Sequence, residues 1–222
     1  MRGINKGLGG KPMDEQEYDR ALRIKTTGTR EWVNQSAHYN RYEASPYDAL
    51  DALFDEYELK KSDVVVDFGC GKGRLTFYVH NRFQVTATGV EMNGQMYQEA
   101  LENQSSYMEK LKKPSGLIHF ERCLAEEYEV EPGDNRFYFF NPFSVQIFAK
   151  VIDNILLSVE RKKRTVDIIL YYPTTEYVEY METSTPFELL DEVRVPRMYE
   201  QNDNERFLIF RYEALLDGQF ND

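Results

Sequence analysis

Two cysteines, Cys70 and Cys123, in 222 residues leave no disulfide framework to read, so the fold must be held by packing. Histidine is almost as scarce: His38, His80 and His119 stand singly, with none of the spacings that hold a metal ion. No segment approaches the roughly 20 consecutive apolar residues of a membrane span. The stretch from Met1 to Met13 is polar and glycine-rich with no apolar centre, so it does not read as a signal peptide and a cytoplasmic protein is expected. Positive charge is also in deficit, with 27 Lys and Arg against 38 Asp and Glu and a net charge of −11. A protein whose main task is gripping phosphate backbones needs clustered cations, so nucleic acid is demoted as a partner without being excluded. What the chain does have is a globular composition, 41% hydrophobic and 29% charged, with Tyr 16 and Phe 14 for an aromatic-rich core. A domain of this size buries roughly 70% of the surface of its unfolded chain and needs no covalent staple.

Along the chain, Glu15 to Lys25 reads as a short helix with Tyr18, Ala21 and Leu22 on one face. An aromatic and polar segment follows from Trp32 to Glu43. A helix is expected from Ser45-Pro46, Ser as cap and Pro in the first position, with Tyr47, Leu50, Leu53, Phe54 and Tyr57 as its apolar face. From Asp63 the texture alternates. Short β-branched or aromatic runs at Val64–Val66, Val85–Val90, Leu117–Phe120, Arg136–Phe140 and Val166–Tyr172 predict strands. Helices are predicted between them: one marked by Leu75, Tyr78 and Val79, one from Tyr97 to Leu111, and one carrying Phe148, Val151, Ile152, Ile155, Leu156 and Val159. Arg161 to Arg164 just beyond that last helix read as cations at a negative helix end. Phe187–Val195 and Arg206–Tyr212 should pair as antiparallel strands. Nearly continuous apolar strands between helices indicate an α/β chain with a parallel sheet covered on both faces, whose ligands bind at the carboxyl ends of the strands.

The chemistry is therefore sought after each strand. Beyond the first, the chain reads Asp67-Phe-Gly69-Cys-Gly71-Lys-Gly73-Arg74. Glycines at alternate positions let backbone pass close to a ligand, and the helix that follows offers its N-terminal amides. A lone glycine turn is often only a tight turn. Here it is joined by Glu91 at the end of the second strand, near the roughly 20-residue offset of a ribose-hydroxyl acceptor. Together these favour a nucleoside site. A dinucleotide fingerprint needs Gly or Ala where Arg74 stands, and a P-loop needs Gly-Lys-Ser/Thr, so neither fits.

Val64-Val-Val-Asp67-Phe-Gly69-Cys-Gly71-Lys-Gly73-Arg74 resembles the first motif of class I S-adenosylmethionine-dependent methyltransferases, and Gly89-Val-Glu91-Met92 resembles their acidic second motif. The resemblance runs from about Tyr42 to Tyr212. It implies a Rossmann-like, seven-stranded, mostly parallel sheet with helices on both faces and a C-terminal antiparallel hairpin. It also implies S-adenosyl-L-methionine as cofactor. By that analogy Gly69 and Gly71 approach its methionine moiety and Asp67 orders the amino group. Glu91 binds both ribose hydroxyls, Met92 packs on adenine, and the amide of Ala125 contacts the ring. The chain departs at Leu124, where the family commonly has Asp.

The fourth strand ends in Asn141-Pro142-Phe143-Ser144, similar to the Asn/Asp-Pro-Pro-aromatic motif of methyltransferases acting on planar amino groups, without the second proline. Asn141 and Phe143 are the candidate catalytic pair, Asn141 accepting hydrogen bonds from an amine and Phe143 stacking on it. The alternative is Asn141 as a cap on the following helix. Tyr42 and Tyr47 sit where the resemblance folds an N-terminal segment over the cofactor, with core packing as their alternative, and His38 is a candidate base in that lid, with a surface or packing role as its alternative. Tyr171-Tyr172-Pro173 reads equally as slot lining or core. Cys70 is given no nucleophilic role. The expected organisation is an extension over residues 1–44, partly flexible and placed to act as a lid, and a methyltransferase domain over 45–222. The expected acceptor is a small molecule or a protein. Amino-group methylation of a nucleic-acid base or protein side chain stands as the alternative, and a non-catalytic cofactor-binding module as the reading from a different class.

Overall fold

The structure is a computed structural model that describes residues 13–28, 43–109, 111 and 116–214. Seven strands form one sheet in the order β3-β2-β1-β4-β5-β7-β6. They are β1 Val64–Phe68, β2 Thr86–Val90, β3 Ile118–Glu121, β4 Arg136–Phe139, β5 Thr165–Tyr171, β6 Glu188–Arg194 and β7 Arg206–Glu213. The first five run parallel, while β7 lies antiparallel to β5 and to β6. Strand order reverses at β1, which pairs with β2 on one side and β4 on the other, so the crevice of an open α/β sheet falls at the carboxyl end of β1.

Helices cover both faces: α1 Glu15–Leu22, α2 Tyr47–Glu56, α3 Arg74–Phe83, α4 Gly94–Met108, α5 Val145–Arg161 and α6 Thr175–Ser184. Alternation along each strand divides the core into two layers. Val65, Tyr138, Ile169, Tyr171, Phe207 and Ile209 face the layer of α1, α2 and α3. Val66, Phe68, Phe137, Phe139, Ile168 and Leu208 face α5 and α6. The predicted α5 periodicity appears as a buried stripe through Phe148, Val151, Ile152, Ile155 and Val159. Beyond it Arg164 donates to the carbonyls of Ser158 and Lys162, the use expected of cations at a helix end.

Several local expectations are corrected. α2 begins at Tyr47 with Pro46 as the flanking residue, and the Ser45 hydroxyl pairs with the Tyr138 hydroxyl at 2.6 Å instead of capping. α4 ends at Met108, short of Leu111. α6 was not anticipated: Thr174 caps it, and it buries only Tyr177 and Met181. Tyr18, Leu22 and Ile24 belong to the same buried cluster as the sheet, so the described part of the expected extension packs into the domain. Tyr47 is a core residue, stacked on Tyr18 at 4.3 Å between centroids. His38 and Tyr42 lie outside the described residues.

Candidate functional site

The glycine turn is tied to the end of β2. The amides of Gly69 and Cys70 both donate to the carbonyl of Val90, at 2.9 and 3.1 Å. Gly69, Gly71 and Gly73 all have positive φ, which a side chain would strain. A Cβ on Gly69 would stand 2.6 Å from the Cβ of Pro142, so the turn after β1 and the Asn141-Pro142 end of β4 touch with no room between them. The structure thus brings Asp67, Gly69, Gly71, Glu91 and Asn141 to the carboxyl ends of adjacent strands.

Glu91 is nearly buried, and each of its oxygens accepts a backbone amide: Gly71 at 2.9 Å and Asn93 at 2.7 Å. Burial raises its pKa against the pull of those amides. The carboxylate therefore locks the glycine turn to the start of α4, and a carboxylate oxygen has further acceptor capacity beyond one amide. Asp67 is in a different state. It is 5% exposed and accepts no hydrogen bond from any described residue. Burial, and then the charge of Glu91, pushes it up to about 8. A buried carboxyl without a donor is costly unless a cation or a donor arrives from outside. Cys70, beneath Gly89, has its thiol held well above the usual value by burial and by both carboxylates, which makes it inert.

At the end of β4, Asn141 is half-buried with φ 41, and Tyr172 at the end of β5 has φ 51. Two neighbouring non-glycine residues in the left-handed region mark strained strand ends, of the kind that gather at functional sites. Asn141 does not flank α5; Ser144 does, so the helix-cap alternative has no counterpart here. Phe143 departs from its expected role. Its ring is 2% exposed, edge-on to Phe139, and its carbonyl accepts from the Tyr177 hydroxyl at 2.6 Å. That ring belongs to the buried cluster that includes Tyr177 of α6, and at this exposure it offers no open face to an acceptor. Met92 is half-buried, and Leu124 leads into a single 3-10 turn, Ala125–Glu127. The first amide of such a turn has no acceptor within it, which leaves the Ala125 amide free of intrahelical duty.

Arg74, where a dinucleotide fingerprint would need Gly or Ala, turns its side chain toward the N-terminal segment. It is buried, donating to the Thr26 hydroxyl at 2.7 Å, the Ser45 carbonyl at 3.1 Å and the Glu15 carboxylate, with its guanidinium over the Tyr47 ring. Asp19 completes this tether, accepting from the amide and hydroxyl of Thr26 and from the Tyr47 hydroxyl. The motif that contains Arg74 does not announce this tether, and nothing in the sequence announces Asp19; the partners of Arg74 lie 48 and 59 positions away, and Tyr47 lies 28 from Asp19. Among the described residues no cluster of His, Cys, Asp and Glu has the makings of a metal site, and no helix is long and apolar enough to cross a membrane.

No protein-family model matches the chain, and no curated protein matches it in sequence. Solved structures do. An RNA methyltransferase from Salinibacter ruber, in complex with S-adenosyl-L-homocysteine, is similar with a TM-score of 0.54 at 11% identity, over 81% of this chain and 100% of that one. YjhP from E. coli is similar with a TM-score of 0.51 at 12% identity, over 77% of this chain and 93% of that one. An rRNA methylase from Streptococcus thermophilus is similar with a TM-score of 0.50 at 16% identity, over 74% and 93%. At such identities the likeness is one of architecture, and together with the strand order and the terminal antiparallel hairpin it gives the chain the Rossmann-like fold of class I methyltransferases.

Proposed function

We propose that the protein is a methyltransferase that uses S-adenosylmethionine, with the cofactor over the carboxyl ends of β1 and β2 and the acceptor over β4 and β5. The observation that carries this reading is Asp67, a carboxyl 5% exposed at the switch point of the sheet that accepts no hydrogen bond from a described residue, suited to an ammonium group. When bound, S-adenosylmethionine supplies a methyl group on a sulfonium, which an acceptor lone pair takes up as the S–CH₃ bond breaks. The chain's own residues do the rest. Asp67 accepts from the cofactor's amino group, Gly69 and Gly71 let the main chain approach it, and Glu91, already fixed by two amides, takes the ribose hydroxyls. Met92 and the Ala125 amide flank the adenine. Asn141 aligns the acceptor, and the gain from such alignment is entropic, with little acid–base work required.

For the acceptor, the net charge of −11 favours a small molecule or protein, whereas two of the three similar structures are described as RNA methyltransferases. That description moves RNA ahead of a small molecule. Amino-group methylation remains the second reading, supported by Asn141-Pro142 held against Gly69. Calorimetry with S-adenosylhomocysteine and with NAD tests the cofactor: micromolar binding of the first alone is expected, and tight NAD binding without it would overturn the reading. Glu91→Ala should weaken S-adenosylhomocysteine by about 2–4 kcal/mol, for two hydrogen bonds to a charged acceptor. Labelled S-adenosylmethionine offered with RNA, protein and small-molecule acceptors tests transfer; binding with no transfer to any class would mark a non-catalytic module.

A further inference from the structure

Among the described residues three buried side-chain atoms have no hydrogen-bond partner: Thr76 Oγ1, Arg136 Nε and Arg206 Nε. Thr76 is uncharged and lies inside α3. Arg136 Nε still stands 3.4 Å from the Asp167 carboxylate, and the same guanidinium reaches Asp63 at 3.1 Å. Arg206 differs from both. Its guanidinium makes no ion pair and no hydrogen bond with any described residue, in a chain with 38 carboxylates for 27 cations. Leaving a half-buried cation with an unsatisfied donor is unfavourable, and such a group calls for a reason, a water or an anion from outside the chain among them.

Its position says what that is. Arg206 opens β7, and its carbonyl accepts from the amide of Tyr172 at 3.1 Å, so it stands at the carboxyl end of β5. Two strand spacings, roughly 10 Å between backbones, separate it from the β4 end that bears Asn141. Directly across the hairpin is Arg194, another cation where opposite charges would be favoured. Arg194 is compensated by Glu192 at 2.8 Å and stacks over Tyr199; Arg206 has no such partner. A planar guanidinium recognises oxyanions by paired hydrogen bonds.

We propose that Arg206 holds an oxyanion of the methyl acceptor, a phosphate or a carboxylate, at the carboxyl edge of β5 and β7. The assignment rests on the methyltransferase reading for the word acceptor, but the anion site itself does not. The test is a titration of the protein with sodium phosphate and, separately, sodium acetate at constant ionic strength, with and without S-adenosylhomocysteine. The readout is the Nε–H resonance of Arg206, assigned by its disappearance in Arg206→Lys. A saturable shift is expected, with at least tenfold weaker anion binding in Arg206→Gln and S-adenosylhomocysteine affinity unchanged within twofold. Saturation by phosphate points to a phosphorylated acceptor or a nucleic-acid strand, saturation by acetate to a carboxylate-bearing one. A resonance that moves with neither anion overturns the proposal, and because it can also be assigned through bonds along the Arg206 side chain of the unaltered protein, the result holds even if the variants fold poorly. If S-adenosylhomocysteine binds while neither anion does, the Arg206 site fails and the cofactor reading stands. If an anion binds and S-adenosylhomocysteine does not, the reverse holds.

Discussion

Replacing Asp67 by Asn should make the protein more stable at neutral pH and flatten part of its pH dependence. Asp67 is buried, accepts no hydrogen bond from a described residue, and is pushed up to about 8 by burial and by the charge of Glu91. In an unfolded chain an aspartate titrates near 3.9, as a rough reference. The folded value lies above the unfolded one, so between about pH 4 and 8 the native protein holds a proton that the unfolded chain has released. Stability contributed by this group therefore falls as pH rises through that window, opposite in sign to a salt-bridged aspartate. One proton is worth about 1.4 kcal/mol per pH unit, so going from about pH 5 to 7 should cost on the order of 2–3 kcal/mol through this group alone. Glu91, raised by burial, and Asp134, pushed up to about 6, add slopes of the same sign. The quantity to measure is thus the difference between wild type and Asp67→Asn in urea unfolding, repeated across the window. The variant should gain on wild type by about 1.4 kcal/mol per pH unit. A difference that stays constant with pH would refute the reasoning. The same ionisation governs the ligand: an ammonium group needs the charged carboxylate, so S-adenosylhomocysteine should bind wild type more tightly as pH rises toward 8, and the variant should show no such trend.

Three further changes separate framework from chemistry. Gly69→Ala forces a Cβ to 2.6 Å from Pro142 at a φ of +77, so thermal unfolding should show a loss of at least about 2 kcal/mol, with cofactor affinity falling in step; a variant as stable as wild type would mean the turn does not seat against β4. Phe143→Ala empties a core site beside Phe139 and should cost about 3–5 kcal/mol in stability. Loss of transfer in that variant at a temperature where it is fully folded would return the ring to the acceptor site. Asn141→Ala should lose about 1 kcal/mol of stability, because alanine tolerates φ 41 less well, and should leave S-adenosylhomocysteine affinity near wild type. Its turnover on an identified acceptor should fall ten- to a thousandfold, roughly 1.4–4 kcal/mol of transition-state stabilisation, and unchanged turnover would remove Asn141 from the reaction.

The parts of this molecule that were legible in the sequence are those fixed by neighbours along the chain. Val64–Val66 running into Gly69, Gly71 and Gly73 is a strand, a turn and a helix start written consecutively, and Glu91 ends the next strand at a spacing the fold imposes. The C-terminal hairpin was legible because no helix fits between its strands. α6 was missed although Thr174 is a capping residue and Tyr177 and Met181 are one turn apart; two buried positions among glutamates and threonines give too little periodicity to outweigh a loop. That miss led to a second. Without α6, Phe143 after Asn-Pro reads as a platform open to a ligand; with α6 in place, Tyr177 holds its carbonyl and the ring is core. Arg74 shows the same limit, since what a long cation does depends on Thr26, Ser45 and Glu15, none of them near it in sequence.

The absence of a partner is the property a sequence carries least of all, and it is what singles out both ends of this site. Asp67 and Arg206 are a carboxyl and a guanidinium that never meet. Between β1 and β7 stand β4 and β5, three strand spacings or roughly 14 Å of backbone. Over that distance the guanidinium does little to the Asp67 carboxyl, and neither group has a partner among the described residues. A single ligand that satisfied both would have to span the sheet edge and pass over Asn141. On the two proposals above, two ligands meeting there need no such length: one would bring a cationic amino group to β1, the other an oxyanion to β7, with their reacting atoms above β4. That arrangement suits a transfer reaction between two bound molecules better than simple storage of one. It predicts an order of effects as well: Asp67→Asn should weaken S-adenosylhomocysteine without touching the anion titration of Arg206, and Arg206→Gln should do the converse.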